Sequence, residues 1–191
     1  KTLVARIVHL IRERGVKPGE ITAVTFTNKA ATELRERLEQ ALGGKRAIRS
    51  ITIGTFHSIC YSLLGGVALA ERSLQLKLAA QTVMEYGLRC SPCRFLSDVS
   101  AYKNGKGECT ESIGAYCRRL RESGAADYDD LLAMALERGG RTFGWLHVDE
   151  FQDVNKTQYE LIRQWTGENG NLFVIGDADQ LPPVWAGSVF A

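Results

Sequence analysis

Four short runs of apolar and β-branched residues set the main constraint on this chain: Ile21 to Thr27, Ile51 to Thr55, Trp145 to Val148, and Leu172 to Ile175. Runs of this length bounded by turn residues read as strands. Helical patterns lie between them. Leu3, Val4, Ile7, Val8 and Ile11 recur at helix spacing, and Gly15 and Pro18-Gly19 end that pattern. Asn28 is placed to cap a second helix, in which Ala31, Leu34, Leu38 and Ala41 share a face and Gly43-Gly44 form the stop. Phe56 to Leu64, Asp127 to Leu136, and a segment from the capping-box pattern Asn155-Lys156-Thr157-Gln158 to Trp165 read as further helices. Strands that alternate with helices predict an α/β fold, a parallel sheet with helices on both faces.

Residues 70–125 break the rhythm. They are helix-like, contain cysteines and hold the turn-prone stretch Lys103-Asn104-Gly105-Lys106-Gly107. They are read as an inserted helical subdomain, with 1–69 and 126–191 forming the α/β body. At 191 residues the chain suits one such body with one insertion. The absence of an initiating Met, with a helical pattern starting at once, suggests a fragment.

Charge is uneven. Residues 1–70 hold eleven basic and five acidic side chains, whereas residues 127–191 hold four basic and eleven acidic. The first balance suits a polyanion and the second a divalent cation. No apolar run reaches membrane-spanning length, so no membrane partner is expected. The five cysteines are an odd number and point to a reducing, cytoplasmic compartment. Cys90 and Cys93 could form half of a zinc site, but Cys109 and Cys117 are too widely spaced for the structural zinc pattern, so plain thiols are expected.

Each strand run ends in a polar cluster: Thr27-Asn28-Lys29, Thr55-Phe56-His57, Asp149-Glu150, and Asp177-Ala178-Asp179-Gln180. Open parallel sheets bind ligands at the carboxyl ends of their strands, so a nucleotide or phosphate site is expected at that rim. A carboxylate leaving a buried strand, such as Asp149, can hold Mg²⁺, and its neighbour Glu150 can orient an attacking water. Lys1-Thr2 opening a helix fits the end of a phosphate-binding loop.

These segments carry a family resemblance. Ala23-Val24-Thr25-Phe26-Thr27-Asn28-Lys29-Ala30-Ala31-Thr32-Glu33-Leu34 resembles motif Ia of UvrD/Rep-type superfamily 1 DNA helicases, and Gly54-Thr55-Phe56-His57-Ser58 resembles motif Ib. Asp127-Tyr128-Asp129-Asp130-Leu131-Leu132 is similar to the segment before motif II. Val148-Asp149-Glu150-Phe151-Gln152-Asp153 is similar to motif II, and Val174-Ile175-Gly176-Asp177-Ala178-Asp179-Gln180 to the start of motif III.

The resemblance implies a P-loop NTPase (RecA-like) lobe, subdomain 1A, carrying an inserted subdomain 1B. It also implies ATP and Mg²⁺ as cofactors, 3′ to 5′ movement on single-stranded DNA, and action at duplex junctions. Lys1 and Thr2 would hold phosphate, and Thr2 with Asp149 would hold Mg²⁺. Asp177 would join the nucleotide side, Glu150 would activate water, and Gln180 would sense the γ-phosphate. Phe26, Thr27, Asn28, Thr55, Phe56, His57 and Trp185 match positions that line the DNA path. Trp145 and Trp165 are assigned to the core. The pattern departs from the family at Gln180-Leu181-Pro182-Pro183-Val184, which resembles the RecD-like branch; Pro183 and Ala186 stand where Tyr and Arg are usual. Alternatives are a helicase subunit of a recombination nuclease complex, an inactive DNA-binding or scaffold module, and a nucleotide kinase. The resemblance further implies a second motor lobe with the remaining motifs; oligomeric state is left open.

Overall fold

The computed structural model describes residues 2–177. They divide into two compact units, one formed by residues 2–59, 139–154 and 158–177, the other by residues 60–138 and 155–157.

The first unit is built on a four-stranded, all-parallel sheet in the order β2-β1-β3-β4. The strands are β1 (Ile21–Thr25), β2 (Thr52–Thr55), β3 (Trp145–Val148) and β4 (Asn171–Val174). Every residue of β1 is buried, which requires cover on both faces. One face carries Ile21, Ala23 and Ile53. It packs against Leu3, Ile7 and Leu10 of α1 (Thr2–Arg12) and Ala31, Leu34 and Leu38 of α2 (Asn28–Leu42). The other face presents Val24, Leu146 and Val148, each fully buried. The helices flanking this sheet make the α/β architecture expected from the strand–helix rhythm.

Local chemistry sets the helix ends. β1 stops at Thr25, two residues short of the apolar run, because Thr27 caps α2 by accepting a hydrogen bond from the Ala30 N–H at 3.1 Å. Asn28, expected as the cap, is instead the first helical residue. At the far end Gly43 turns left-handed with φ 89°. The chain then enters α3 (Lys45–Ile48).

Helix α4 (Phe56–Leu64) follows β2 without a loop. Its start is a reciprocal cap: the Ser58 N–H donates to Thr55 Oγ1 at 3.2 Å, and the Thr55 N–H donates to Ser58 Oγ at 2.8 Å. Gly54 makes room for this. A Cβ there would lie 2.4 Å from Ser58 Oγ.

The second unit contains α5 (Arg72–Glu85), α6 (Pro92–Lys103), α7 (Glu111–Glu122) and α8 (Asp130–Arg138). Leu78, Phe95, Leu96, Val99, Ile113, Tyr116 and Leu120 form its core, with the Phe95 and Tyr116 rings edge-to-face at 5.9 Å. A parallel bridge joins Leu69 to Ala126, and Arg138 reaches the carbonyls of Leu63 and Leu64, so both flanks are drawn into the unit.

Helix α8 begins at Asp130 rather than Asp127 because the two aspartates cap each other. The Asp130 N–H donates to Asp127 Oδ1, and the Asp127 N–H donates to Asp130 Oδ2. Lys103 bridges both carboxylates at 2.6 and 2.7 Å. Asn104 donates to Asp129 Oδ1, and its own Oδ1 accepts from Asn155, just ahead of α9 (Lys156–Thr166).

All five cysteines are free thiols. Among the described residues, no group of three or more His, Cys, Asp or Glu side chains is arranged to hold a metal ion. No helix among them is long and apolar enough to cross a membrane.

Candidate functional site

The sheet register brings the polar clusters to one rim. Thr25 pairs with Thr55, Val24 with Val148, and Val148 with Val174. The carboxyl ends of all four strands therefore lie level. The ladder continues past β3, where the Asp149 N–H donates to the Val24 carbonyl and the Phe151 N–H to the Ile175 carbonyl. Asp149 is half-buried and Glu150 exposed, both at the middle of this rim.

Glu150 is the one non-glycine among the described residues with a positive φ, at 51° with ψ 46°. That left-handed geometry costs about 1–2 kcal/mol for an L residue, so the surroundings must impose it. Two hydrogen bonds do so. The Glu150 N–H donates to Asp149 Oδ1 at 3.2 Å, and Gln152 Nε2 donates to Glu150 Oε2 at 2.7 Å. Gln152 is buried, and its Oε1 accepts from the Asp177 N–H at 3.1 Å. One amide thus ties the acidic pair to the segment leaving β4. Gly176 permits this closeness, since a Cβ there would sit 2.9 Å from Gln152 Oε1.

Burial pushes the Asp149 carboxyl above its ordinary range; the Glu150 charge adds to that, and the Glu150 N–H opposes it. A divalent cation would reverse this balance. Mg²⁺ sites of nucleotide enzymes use one or two carboxylates and complete the shell with phosphate oxygens and water. One half-buried carboxylate beside an exposed one fits that donor set.

The other expected site residues are distributed as follows. Thr2 is exposed at the start of α1. Lys1, Gln180 and Trp185 lie outside the described residues. Thr27 and Asn28 are exposed at the start of α2, and His57 is half-buried in the first turn of α4. Thr55 is buried with its hydroxyl engaged in the α4 cap.

Phe56, expected to line the DNA path, is buried. It is 1% exposed, stacked on Trp165 at 6.0 Å and edge-on to Phe26 at 5.9 Å. Its ring belongs to the core, and it supports the half-buried Phe26. Trp165 is itself fully buried, as assigned, and Trp145 is half-buried against the α1/α2 core.

Gln152 is the site residue that reading the sequence missed. Its position two residues after Glu150 was visible, but its second partner is Asp177, on the segment beyond β4.

The chain matches the UvrD/REP helicase N-terminal domain over residues 1–85 and 67–187. It is 31% identical to the ATP-dependent DNA helicase PcrA of Bacillus subtilis over 98% of this chain and 30% of the relative. PcrA of Leuconostoc citreum gives the same identity and coverage. PcrA of Staphylococcus aureus is 30% identical over 98% of this chain and 31% of the relative. The chain therefore spans about 30% of the length of the curated relatives it matches. With the motifs aligned on one sheet rim and the family match running through both units, the chain belongs to the UvrD/REP helicase N-terminal domain family.

Proposed function

We propose that this chain is the ATP-binding lobe of a DNA helicase that moves 3′ to 5′ on single-stranded DNA and acts at duplex junctions. The observation that carries the reading is the acidic pair at the rim, with Glu150 held in a left-handed backbone and anchored through Gln152. Residues 1–69 and 126–191 act as the nucleotide-binding subdomain and residues 70–125 as the inserted one.

Lys1 and Thr2 grip the triphosphate, with Asp177 on the same side. Thr2 and Asp149 would hold Mg²⁺, which would neutralise phosphate charge. Glu150 accepts the proton of the attacking water, and Gln152 keeps its carboxylate aimed by occupying one oxygen. Gln180 reads the presence of the γ-phosphate. Thr27, Asn28 and His57 bind DNA phosphates without reading sequence. Phe26 and Trp185 offer ring faces to bases, a contact worth about 1–3 kcal/mol each. A second lobe completes the cleft, in keeping with the 30% coverage of the relatives. The protein works in the cytoplasm.

The test is DNA-stimulated ATP hydrolysis by the full-length protein and its Glu150→Gln variant. Turnover should fall by about 10²–10⁴ with nucleotide affinity retained, the range for loss of a general base. Undiminished turnover in the variant would sink the reading. Residues 1–191 alone should hydrolyse ATP feebly, and DNA-stimulated turnover near the full-length rate would refute the need for a second lobe.

A further inference from the structure

The sheet unit has a concentration of positive charge at the end of β2 opposite the rim. The left-handed pair Gly43 (φ 89°) and Gly44 (φ 126°) reverses the chain after α2 and sets α3 beside it. This turn gathers Arg35 of α2 with Lys45, Arg46 and Arg49 around a cleft of about 430 Å³, in which Glu39 is the one acid and Ile51 marks the start of β2.

All four cations are exposed, and among the described residues none has a carboxylate within salt-bridge distance. Arg35 is already fixed, donating to the Ile53 carbonyl at 3.1 Å. Four like charges against one acid repel one another, and a bound polyanion relieves that repulsion. Three of the four are arginines, whose forked donors match pairs of phosphate oxygens.

The location selects the polyanion. β2 is an edge strand, with Thr55 at the rim and Ile51 at the cleft. Four residues at about 3.3 Å each separate them by about 13 Å. A few nucleotides of one strand cover that distance.

We propose that this cleft is a second contact for the phosphodiester backbone, extending the nucleic-acid footprint from the rim along the edge of β2. The proposal rests on the rim being a DNA site.

Anisotropy titrations of the full-length protein with labelled single strands of about six and about sixteen nucleotides test it. Arg46→Glu/Arg49→Glu should bind the long strand at least tenfold more weakly and the short strand within twofold of the wild type. Its log-affinity against log-salt slope on the long strand should be shallower by about 1.4, at about 0.7 per lost phosphate contact on a single strand. Arg46→Gln/Arg49→Gln should give an intermediate loss, which guards against a folding defect in the reversed pair.

Unchanged long-strand affinity and slope in both double variants overturn the cleft, whatever happens at the rim. Asn28→Ala/His57→Ala reports on the rim separately through the short strand. If that variant binds both strands normally while the arginine variants lose the long one, the cleft stands as a nucleic-acid site and the rim reading fails. Wild-type protein that prefers polyglutamate of equal charge to the long strand overturns the proposal in favour of an acidic peptide.

Discussion

Gln152 Oε1 accepts a hydrogen bond from the backbone N–H of Asp177 at 3.1 Å, across 25 residues of sequence. Because the same side chain donates to Glu150 Oε2, a displacement of the segment after β4 is felt directly by the acid. Gln152→Leu removes both links at nearly constant volume. It should cost about 1–3 kcal/mol in a denaturant titration, because the Asp177 N–H loses its acceptor. If Glu150 is the base, ATP turnover should fall about tenfold or more while KM for ATP changes little, the pattern for lost positioning rather than lost binding.

His147 lies inside β3, 1% exposed, with its ring against Phe173 at 5.8 Å. Burial pulls it down from its ordinary 6.5 to about 4, with the Arg6 charge acting the same way. A group depressed in this way favours the unfolded chain once protons are available. Its stability contribution is complete above pH 6.5 and is lost as pH falls toward 4, by up to about 3 kcal/mol. His147→Leu should therefore flatten the loss of Tm between pH 6.5 and 4 relative to the wild type. Parallel Tm-against-pH curves would exclude His147 as the source.

Lys103 sits between Asp127 and Asp130 with its side chain 8% exposed. Burial alone would lower its pKa, but the two carboxylates outweigh burial and raise it. Lys103→Met leaves two acids partly buried without their counter-ion and should destabilise the second unit by about 3–5 kcal/mol. Adding Asp127→Asn should recover part of that loss. Chemical denaturation of the single and double variants checks the order.

Phe56 and Phe26 touch but differ in exposure, so their truncations should separate. Phe56→Ala opens a cavity beside Trp165 and should cost about 3–5 kcal/mol of stability. Phe26→Ala should cost less stability, because the ring is already half in solvent. It should weaken single-strand binding by about 1–3 kcal/mol if the ring carries a base. Equal stability losses with unchanged DNA binding would make Phe26 a core residue.

The rim was legible because direction is written into a parallel sheet. Four apolar runs separated by helices must point the same way, so the residues after Thr25, Thr55, Val148 and Val174 share an edge. The sequence could not say which rim aromatic faces inward. Phe26 and Phe56 look alike until Trp165, more than a hundred residues later, takes the stacking position beneath Phe56. The bridging of Gln152 was hidden for the same reason, because it depends on Asp177, 25 residues further along the chain. The shift of the α2 cap from Asn28 to Thr27 is of another kind, since both residue types cap well and only the bend after β1 decides between them.

The pairing of β1 with β3 has a consequence for biosynthesis. β1 is buried on both faces, yet its central neighbour is encoded about 120 residues downstream. At ribosomal rates of about 5–20 residues per second, roughly 6–24 seconds pass before Trp145 to Val148 emerges. The helical unit, rich in local contacts, can form in that interval. Until then one edge of this buried strand stays open even after β2 has paired with the other, a natural landing place for a chaperone.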